Sequence, residues 1–477
     1  MLFVDDLLKI SNAEAINVEQ FSREPFLGVS TDSRTINDGQ IFLALRGDKF
    51  DGHNFVEEVI SKGIRIAIVE ENWFRVASYK LRGFQNVGFV LVDNTTKAFG
   101  ELANIWRKKF DIPILVITGS NGKTTTKEML TQVLQTQYNV HSTQANDNNH
   151  IGVPKTLFGI NKETEIAVLE LGSNHIGEIS YLSNIVSPTH SLVTNIGKEH
   201  LEFFGSLENI AKEETTTFSN SLFGFVNEDD EEIKKRSFIL KKKKTYGFQN
   251  NVDVAGNIVN VDESGCVTFS ITNDKLQITN CKLQIAGIHN ASNALASATV
   301  GKYFGISSEN IKSSLENFRA YDKRMEILKA NGITIINDTY NSNPDSVIAA
   351  LHTLQQMKTS GKKIIVLGDM LEFGNTSEAE HRQIGRIISE MGFKNLFTFG
   401  VFSKYISAET NQTFVKHFND KQKLISELKN SIQTNDIILI KGSRGMKMEE
   451  IVQGLTVIAS VSEETPKKIA SLLHSSQ

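Results

Sequence analysis

The stretch Ile112-Pro-Ile-Leu-Val-Ile-Thr-Gly-Ser-Asn-Gly-Lys-Thr124 passes from a run of apolar residues into a loop with two glycines. The residues that follow, 125–134, carry apolar side chains at positions 129, 130, 133 and 134, which is the spacing of one helix face. The sequence therefore predicts a buried strand, a tight loop and a helix in direct succession. This is the repeating unit of a parallel α/β sheet.

The glycine loop has the composition of a phosphate-binding site. Its glycines allow backbone N–H groups to converge on phosphate oxygens, and a helix N-terminus adds positive potential. In this interpretation Lys123 bridges the outer phosphates and the Thr124 hydroxyl holds Mg²⁺. Position 117, where the longer form of the loop begins, is Ile, so the match is to the shorter G-x-x-G-K-T pattern. We predict an ATP site, with a plain strand–helix turn as the alternative, formed by Gly119, Ser120, Asn121, Gly122, Lys123 and Thr124.

Apolar runs separated by helical patterns recur on both sides of this unit. Continuous runs of this length predict mainly parallel strands buried under helices on both faces, so the fold class is α/β. A stretch from Cys266 to Ile285 alternates instead and predicts an antiparallel hairpin added to the sheet. The other predicted strands are residues 64–69, 87–92, 166–169, 191–194, 333–336, 363–367 and 437–440.

The length of 477 residues suggests about three domains, because one hydrophobic core stops growing well below this size. We predict a small mixed N-terminal domain over residues 1–107, which ends in a helix around Ala98–Trp106. A central domain with a P-loop-type, mostly parallel sheet follows over 108–318. A C-terminal domain with its own strand–helix alternation occupies 319–477.

Composition excludes several classes of protein. The 51 basic and 55 acidic residues give a net charge of −4. The overall charge of the protein therefore does not favour binding to nucleic acid or to anionic lipid. The run Lys241–Lys244 is interpreted as a solvated face. Two cysteines are too few for a disulfide scaffold or a four-ligand zinc site. The acidic N-terminus and the lack of an 18-residue apolar run predict a cytoplasmic protein without membrane insertion.

Two polar residues follow predicted strands near the loop. Glu170 ends the run 166–169, and His200 follows the run 191–194. Ligands bind at the carboxyl ends of strands in open α/β sheets, and a bound triphosphate needs hard ligands to complete its metal. We therefore predict Thr124, Glu170 and His200 as metal ligands, although either acidic or imidazole side chain taken alone is more often a capped or solvated residue.

Segments spread over nearly the whole chain resemble the Mur ligases of peptidoglycan synthesis, and several resemble the members that add D-Ala-D-Ala. Besides the glycine loop they are Thr31–Arg34, Phe42–Gly47, Asp51–His53, Asn148–Pro154, Glu170–Glu178, Gly287–Asn293, Asn337–Pro344, Gly368–Glu372 with His381, and Lys441–Arg444.

The resemblance implies a fold and a reaction. It implies that the first domain binds a UDP-sugar, the second is an ATPase domain, and the third is a Rossmann-like domain that closes over the nucleotide. ATP and Mg²⁺ would activate the terminal carboxylate of UDP-N-acetylmuramoyl-tripeptide as an acyl phosphate. The amine of D-Ala-D-Ala would then attack it to form an amide. The expected protein is a monomer, and the third peptide residue, meso-diaminopimelate or lysine, stays open.

The resemblance also implies roles for individual residues. Lys123, Glu170 and His200 would be catalytic, Asn290 would contact adenine, Arg324 would reach the phosphates, and Asp338 and Asn341 would lie near the ribose and phosphates. Alone, many of these residues are also what turns prefer. Substrate contacts would come from Asn148 and Asn149 for the muramoyl-peptide, and for the UDP part from Thr31, Asp32, Ser33, Arg34, Phe42, Asp51, Gly52 and His53.

The chain departs from the family at two positions. Relatives place a carbamylated lysine 14 positions after the metal-site histidine, whereas this chain has Glu214. We hypothesise that Glu214 supplies an encoded catalytic carboxylate there, with Lys212 facing the opposite side of the helix. Lys323 stands where relatives generally have Gly, so the backbone before Arg324 is expected to differ.

Two other functions are compatible with part of these motifs. One is another ATP-dependent acid:amine ligase of the superfamily, such as folylpolyglutamate synthase, against which the segments from Thr31 to His53 argue. The other is a weakly catalytic ATP-binding scaffold, which the change at Glu214 keeps open.

Overall fold

The strands form three main sheets in the described part of the chain, one after another along the sequence. The structure is a computed structural model, and it describes residues 1–47, 50–77, 85–249, 251–273, 276–410 and 414–456. The predicted α/β class is confirmed, and each predicted strand begins within two residues of an observed one. The proposed boundaries after residues 107 and 318 fall between successive sheets.

The N-terminal part is a small mixed sheet with flanking helices. Its helices are α1 (Val4–Leu7), α2 (Val56–Ser61), α3 (Glu71–Ala77) and α4 (Thr95–Arg107). Its strands are β1 (Glu14–Ile16), β2 (Gly28–Ser30), β3 (Gln40–Leu43), β4 (Arg46–Gly47), β5 (Phe50–Asp51), β6 (Ile66–Glu70) and β7 (Gly88–Val92). The sheet order is β1-β7-β6-β3-β2, with β1 antiparallel and the others parallel, while β4 and β5 pair separately.

Helix α4 joins this domain to the next. The Asn94 side chain caps its N-terminus by accepting a hydrogen bond from the Lys97 N–H. One face packs in the N-terminal core, while Trp106 Nε1 donates to the Ile160 carbonyl and Arg107 Nε to the Val186 carbonyl of the central domain. The two domains are therefore held together by buried polar contacts as well as by packing.

The central sheet is mostly parallel and carries the glycine loop. Its strands are β8 (Ile114–Thr118), β9 (Val140–Ser142), β10 (Ile166–Glu170), β11 (His190–Val193), β12 (Phe223–Asn227), β13 (Lys243–Gly247), β14 (Val254–Val261), β15 (Cys266–Asn273) and β16 (Leu276–Ala286). The order is β16-β15-β14-β13-β12-β11-β8-β10-β9, parallel from β9 to β14. Strands β15 and β16 form the predicted antiparallel hairpin.

The helices of the central domain cover both faces of this sheet. They are α5 (Lys123–Leu134), α6 (Gly152–Phe158), α7 (Glu178–Val186), α8 (Leu201–Phe204), α9 (Leu207–Glu214), α10 (Thr217–Asn220), α11 (Glu231–Arg236), α12 (His289–Tyr303) and α13 (Ser308–Asn317). Strand β8 lies between β10 and β11, so the loops that follow these three strands meet at one edge of the sheet.

The C-terminal sheet has the order β17-β18-β22-β19-β20-β21, in which only β17 is antiparallel among the described strands. Its strands are β17 (Glu326–Ala330), β18 (Ile333–Asp338), β19 (Lys363–Gly368), β20 (Asn395–Phe399), β21 (Phe414–Phe418) and β22 (Ile437–Lys441). Helices flank them as in a Rossmann-like fold: α14 (Pro344–Gln356), α15 (Ser377–Glu390), α16 (Lys404–Ala408), α17 (Lys421–Ser431) and α18 (Glu449–Thr456). Short 3₁₀ turns occur at Glu19–Phe21, Gly52–Phe55, Ser237–Ile239, Gly374–Thr376 and Arg444–Met446.

Apolar packing continues from the central domain into the C-terminal domain. Leu283 and Ile285 of β16 belong to the same buried cluster as Val347 and Ala350 of α14. The two domains therefore share a packed interface beside the cavity described below. Among the residues described, every helix is too short or too polar to span a bilayer.

Candidate active site

The glycine loop between β8 and α5 requires its two glycines. Gly119 and Gly122 have φ angles of 118° and 80°, a region that side chains disfavour. A Cβ on Gly119 would lie 2.3 Å from Thr194 Oγ1, and one on Gly122 would lie 2.6 Å from Asn293 Oδ1. The bare backbone therefore turns tightly into the N-terminus of α5, where N–H groups without helical partners attract anions.

Residues after β11 hold this loop in place. The Ser120 N–H donates to the Asn195 carbonyl at 2.8 Å, and the Asn121 N–H donates to Asn195 Oδ1 at 3.0 Å. Ser120 Oγ and Gly197 exchange hydrogen bonds of 3.1 and 2.9 Å. A rigid loop suits phosphate binding, because its donors need no rearrangement when the ligand arrives.

Glu214 lies behind the loop rather than in the cavity. Its Oε2 accepts a hydrogen bond from the Gly119 N–H at 2.5 Å, and its Oε1 accepts one from Ser173 Oγ at 2.8 Å. Both carboxylate oxygens are thus occupied by protein donors, and the side chain is fully buried. The hypothesis that Glu214 presents its carboxylate to the metal does not fit this arrangement. Lys212 is exposed, which agrees with the prediction that it faces the opposite side of the helix.

Lys123 lies near several carboxylates, of which Glu199 is not among the residues predicted from the sequence. Its Nζ lies 3.7 Å from Glu199 Oε2 and donates to the Gly119 carbonyl. Burial alone would lower the pKa of Lys123, but the carboxylates of Glu199, Glu214 and Glu170 outweigh burial and raise it. The ammonium therefore stays charged, as a phosphate ligand must.

Glu199 is the main site residue that sequence reasoning missed. It is buried, lines the cavity and lies directly before the predicted ligand His200. Burial raises its pKa to about 7, against the opposing effect of Lys123. Glu199 follows strand β11, as His200 does. The argument from the carboxyl ends of strands, which predicts His200 as a site residue, therefore applies equally to Glu199.

The donor set fits Mg²⁺. Oε2 of Glu170 and Oε1 of Glu199 are buried beside the cavity and have no hydrogen-bond partner among the described residues. Asn148 Nδ2 orients the other Glu170 oxygen at 2.9 Å. Within the described ranges no three His, Cys, Asp or Glu side chains form a metal cluster, so the Thr124 hydroxyl and phosphate oxygens would have to complete the coordination.

His200 also connects the central and C-terminal domains. Its Nδ1 contacts Glu372, and the Glu202 N–H donates to the Glu372 carbonyl at 3.0 Å. Burial would lower the pKa of His200, but Glu372 raises it. His381 is buried and accepts from the Met370 N–H at 3.0 Å, so it supports the loop that carries Glu372.

Arg324 reaches the glycine loop from the C-terminal domain. Its Nη2 donates to Thr124 Oγ1 at 3.1 Å, and its guanidinium stacks 3.7 Å from the Tyr340 ring centroid. Asn343 Nδ2 donates to Asn121 Oδ1 at 2.9 Å. The structure thus brings together the two predicted phosphate-binding cations, Lys123 and Arg324, from different domains.

The remaining predicted nucleotide residues lie along the same cavity. Lys441 Nζ donates to Asp338 Oδ2 at 2.7 Å and to the Asn341 carbonyl at 2.8 Å. This buried lysine lies in the resembling segment Lys441–Arg444, for which the sequence predicts no individual role. Asn290 is buried at the cavity wall, where its Nδ2 donates to the Ala286 carbonyl at 2.7 Å. Its amide group is therefore already engaged by the last residue of β16.

One cavity of about 740 Å³ unites these groups. Its walls come from both the central and the C-terminal domain. Tyr340 and Asp345 also line it, and their local sequence carries no separate signal for this role. The predicted residues that line it are Ser120, Asn121, Gly122, Lys123, Thr124, Asn148, Asn149, Glu170, His200, Asn290, Arg324, Asp338 and Asn341.

The predicted UDP-contacting residues lie apart from this cavity, and two of them are not available to a ligand. Phe42 is 1% exposed in the N-terminal core. His53 is buried with its Nδ1 bound to Asp51 and its Nε2 accepting from the Glu70 N–H at 2.9 Å. Neither side chain is open to a ligand in this arrangement, and their contact with the UDP part stays a prediction. Both side chains lie behind the surface. Phe42 packs in the hydrophobic core, and His53 positions a loop through its contacts with Asp51 and Glu70.

Of the other residues predicted to contact the UDP part, Arg34 is exposed and Asp32 is partly exposed. Asp32 and Arg34 form a bidentate pair, and the Arg34 guanidinium lowers the pKa of Asp32 to about 2. A Cβ on Gly52 would lie 2.7 Å from the Leu45 carbonyl, so close backbone approach explains this glycine.

Comparison with known proteins places the chain in a family. Three models match: the Mur ligase family catalytic domain over residues 25–107, the Mur ligase middle domain over 117–301, and the Mur ligase glutamate ligase domain over 323–444. The UDP-N-acetylmuramoyl-tripeptide--D-alanyl-D-alanine ligase of Bacillus subtilis is 36% identical over 448 residues, which are 91% of this chain and 94% of that protein.

Solved structures agree with this assignment. The crystal structure of MurF from Acinetobacter baumannii is 30% identical with a TM-score of 0.84, and the match covers 95% of this chain and 98% of that one. The MurF ligase from Thermotoga maritima in complex with ADP is 24% identical with a TM-score of 0.79, over 90% and 96% of the two chains, and shares the fold. The chain belongs to the Mur ligase family.

Proposed function

We propose that this chain is an ATP-dependent ligase that joins D-Ala-D-Ala to UDP-N-acetylmuramoyl-tripeptide and forms an amide bond in peptidoglycan precursor synthesis. One observation carries the proposal: Lys123 and Arg324 converge on the glycine loop from two domains. Two cations at a helix N-terminus form a site for a polyphosphate. The name of the Bacillus subtilis relative supports the choice of substrates.

The chemistry follows from what a carboxylate needs in order to react. Its oxygen leaves poorly, so the carboxylate first attacks the γ-phosphorus of ATP and ADP departs. The amine of D-Ala-D-Ala then attacks the acyl carbon, and inorganic phosphate leaves as the amide forms and the amine loses a proton. In this scheme Lys123 and the loop N–H groups neutralise charge on the transferred phosphoryl group, and Arg324 holds the phosphates in line.

Glu170, Glu199, His200 and the Thr124 hydroxyl are proposed to serve Mg²⁺ sites. Because the described acidic and imidazole side chains do not form one preformed cluster, phosphate oxygens of the nucleotide are proposed to complete the coordination. When bound, Mg²⁺ supplies further neutralisation of phosphate charge. Asn148 orients Glu170, which gives this asparagine a role in the site as well as the proposed contact with the muramoyl-peptide.

The other assignments remain part of the proposal. The three domains are proposed to span residues 1–107, 108–318 and 319–477. Thr31, Asp32, Ser33 and Arg34 are proposed for the UDP part, with Asp51 and Gly52 shaping the adjacent loop. Asp338 and Asn341 are proposed near the ribose and phosphates, and Asn290 near adenine. We propose a monomer, because the central and C-terminal domains of a single chain are enough to wall the cavity. We also propose a cytoplasmic location, where ATP is available.

The test is an assay of the purified chain with ATP, Mg²⁺, UDP-N-acetylmuramoyl-tripeptide and D-Ala-D-Ala. We expect ADP release that depends on both substrates together with the amide product. Tripeptides ending in meso-diaminopimelate and in lysine, run in parallel, determine which one is used.

The same assay separates the alternatives. Nucleotide binding without turnover would support a scaffold. Turnover with a folate and glutamate, but not with the muramoyl-tripeptide, would support another ligase of the superfamily. Either result would overturn the proposal.

A further inference from the structure

A basic and apolar segment follows β12 on the central domain. Residues 233–244 read Ile-Lys-Lys-Arg-Ser-Phe-Ile-Leu-Lys-Lys-Lys-Lys, in which seven of twelve residues are basic and none is acidic. The lysine run was expected to be a solvated face because it has no interleaved aromatic residue. The structure adds what that expectation lacked, since apolar side chains that precede the run are exposed beside it.

Three large apolar side chains project to solvent here. Phe238 is 83% exposed, Leu222 is 74% exposed and Ile239 is 49% exposed. The Gly224 N–H donates to the Lys242 carbonyl at 3.0 Å, which brings Leu222, two residues earlier, next to the start of the lysine run. We name this surface the basic-apolar face, and it comprises Leu222, Lys235, Phe238, Ile239, Lys241 and Lys242.

The helical phase adds Lys235 to the same side. Helix α11 continues directly into the 3₁₀ turn Ser237–Ile239, so Phe238 and Ile239 stand three and four residues after Lys235. Side chains at these spacings are neighbours on a helical surface. The face therefore combines a cation with two apolar tips within one turn, a pattern typical of segments that lie at a membrane interface.

Nearby acids compensate only part of the positive charge. Lys234 and Lys243 approach Glu228, Lys235 approaches Glu232, and Arg236 pairs with Glu208. Lys244 approaches Asp253, and Lys234 also approaches Glu231. Lys241 and Lys242 are exposed and have no ion pair within the described part of the chain. These two lysines lie beside the apolar side chains and leave the face net positive.

The face lies at the edge of the sheet opposite the cavity. Leu222 directly precedes β12 and Lys242 directly precedes β13, so both lie at the amino ends of strands that run parallel to β8. The glycine loop follows the carboxyl end of β8, and Asn227 at the carboxyl end of β12 lines the cavity. A surface bound at this face would leave the cavity open.

We propose that the basic-apolar face docks on an anionic phospholipid surface. The lysines of the face are attracted to the negatively charged surface of the leaflet. Phe238, Ile239 and Leu222 then enter the boundary between the headgroups and the acyl chains. Apolar side chains exposed singly are ordinary on soluble proteins, but three beside uncompensated lysines are not. Nucleic acid fits less well, because it would use the charges and leave aliphatic Leu222 and Ile239 in water.

The test is co-sedimentation of the full chain with phospholipid vesicles. We expect binding to vesicles that contain phosphatidylglycerol, weaker binding to vesicles of phosphatidylcholine alone, and loss of binding at high salt. K241E/K242E should reduce binding by roughly tenfold or more, because each lysine near an anionic surface contributes substantially. F238S/I239S should reduce it as well, while both variants keep ligase turnover.

Matched variants act as controls. K423E/K429E reverses two exposed lysines of α17, and V401S removes an apolar side chain that is 64% exposed on the C-terminal domain. Both should bind vesicles like the parent chain. The proposal would be overturned if the control variants lost vesicle binding to the same extent as the variants of the face. It would also be overturned if the chain did not bind anionic vesicles, or if it bound a DNA duplex and not the vesicles.

Fluorescence gives a second measurement that does not depend on affinity. F238W places an indole at the tip of the face, and the parent chain with its native Trp73 and Trp106 gives the background. We expect a blue shift of the difference emission when phosphatidylglycerol vesicles are added. An unchanged emission maximum while the protein sediments with the vesicles would show that Phe238 does not enter the lipid.

Discussion

At the scale of single residues, Lys123 is the cation on which phosphoryl transfer depends. Lys123→Ala should lower amide formation by roughly 10²-fold or more, because charge on the transferred phosphoryl group loses its main neutralising partner. Circular dichroism should show a folded protein. Lys155→Ala is the control, since this lysine is exposed and pairs with Asp147. Near-normal turnover of Lys123→Ala would remove the loop from the mechanism.

Glu214 acts through the loop it supports. Glu214→Ala should lower the free energy of unfolding by about 1–3 kcal/mol, because the buried Gly119 N–H loses its acceptor. Glu214→Gln retains an acceptor for Gly119 and a donor for Ser173 Oγ, so a smaller loss is expected. Denaturant unfolding measures the free energy of unfolding of both variants. Lys212→Ala on the exposed side of α9 should match the parent, and equal stability of Glu214→Ala would contradict this role.

His190 makes stability depend on pH. Burial lowers its pKa to about 4, whereas an unfolded histidine has a pKa near 6.5. The neutral ring is therefore favoured in the fold, and its contribution is complete above about pH 6.5 and lost as pH falls toward 4. The aromatic rings packed against it are Phe223, Phe225, Tyr303 and Phe304.

We expect this loss to be about 2 kcal/mol, after a discount for partial exposure of the ring. Unfolding free energies of the parent and His190→Gln, each measured near pH 7 and near pH 4.5, isolate the contribution because other groups cancel in the difference. A parallel pH dependence of the two proteins would contradict the prediction.

At the scale of elements, the segment between α13 and β17 holds Arg324 in an unusual backbone. Asp322, Lys323 and Met325 have φ angles of 40°, 58° and 52°. Lys323 thus keeps a left-handed backbone of the kind that glycine favours, and the expectation that the backbone here differs from that of relatives stays a prediction. Lys323 Nζ lies 3.1 Å from Glu449 Oε1, and the Asp338 side chain accepts from the Met325 N–H. The turn directs Arg324 toward Thr124.

Comparison of two substitutions at Lys323 measures the conformational cost. Both Lys323→Gly and Lys323→Ala remove the contact with Glu449, but only glycine relieves the left-handed backbone. We expect Lys323→Gly to be more stable than Lys323→Ala by about 1 kcal/mol in denaturant unfolding. Equal stability of the two variants would mean that this backbone is not strained.

At the scale of the whole molecule, the C-terminal domain is closed onto the central domain by polar contacts around the cavity. The Lys198 N–H donates to Asp345 Oδ2 at 2.7 Å, and its Nζ lies 2.8 Å from Glu380 Oε1. Arg324, Asn343 and Glu372 add further contacts to the glycine loop and to His200. Closure assembles the site, so it should be coupled to nucleotide binding.

Glu380→Ala tests this coupling. Removal of the Lys198 partner should shift the unliganded protein toward an open form, with a larger radius of gyration in small-angle scattering. An ATP analogue with Mg²⁺ should reverse the change. Glu378→Ala on the same helix is the control, because Glu378 pairs with Arg382 inside its own domain. The same radius for Glu380→Ala and Glu378→Ala would contradict the role of this contact.

The strands, the helices and the glycine loop follow from short-range sequence patterns. Apolar periodicity and glycines act over a few neighbouring residues. The strands, the helix after the loop and the roles proposed for Lys123 and Thr124 could therefore be predicted from local pattern. The same local logic predicted that Lys212 and Glu214 face opposite sides of one helix.

Which side chains can reach a ligand depends on how distant segments of the chain pack together. Phe42 and His53 are buried behind the N-terminal surface, and Glu214 supports the loop instead of facing the cavity. Arg324 and Thr124 are 200 residues apart and meet only when two domains pack. Burial and the pKa shifts of Lys123 and Glu199 depend on neighbours distant in sequence, which local pattern does not encode.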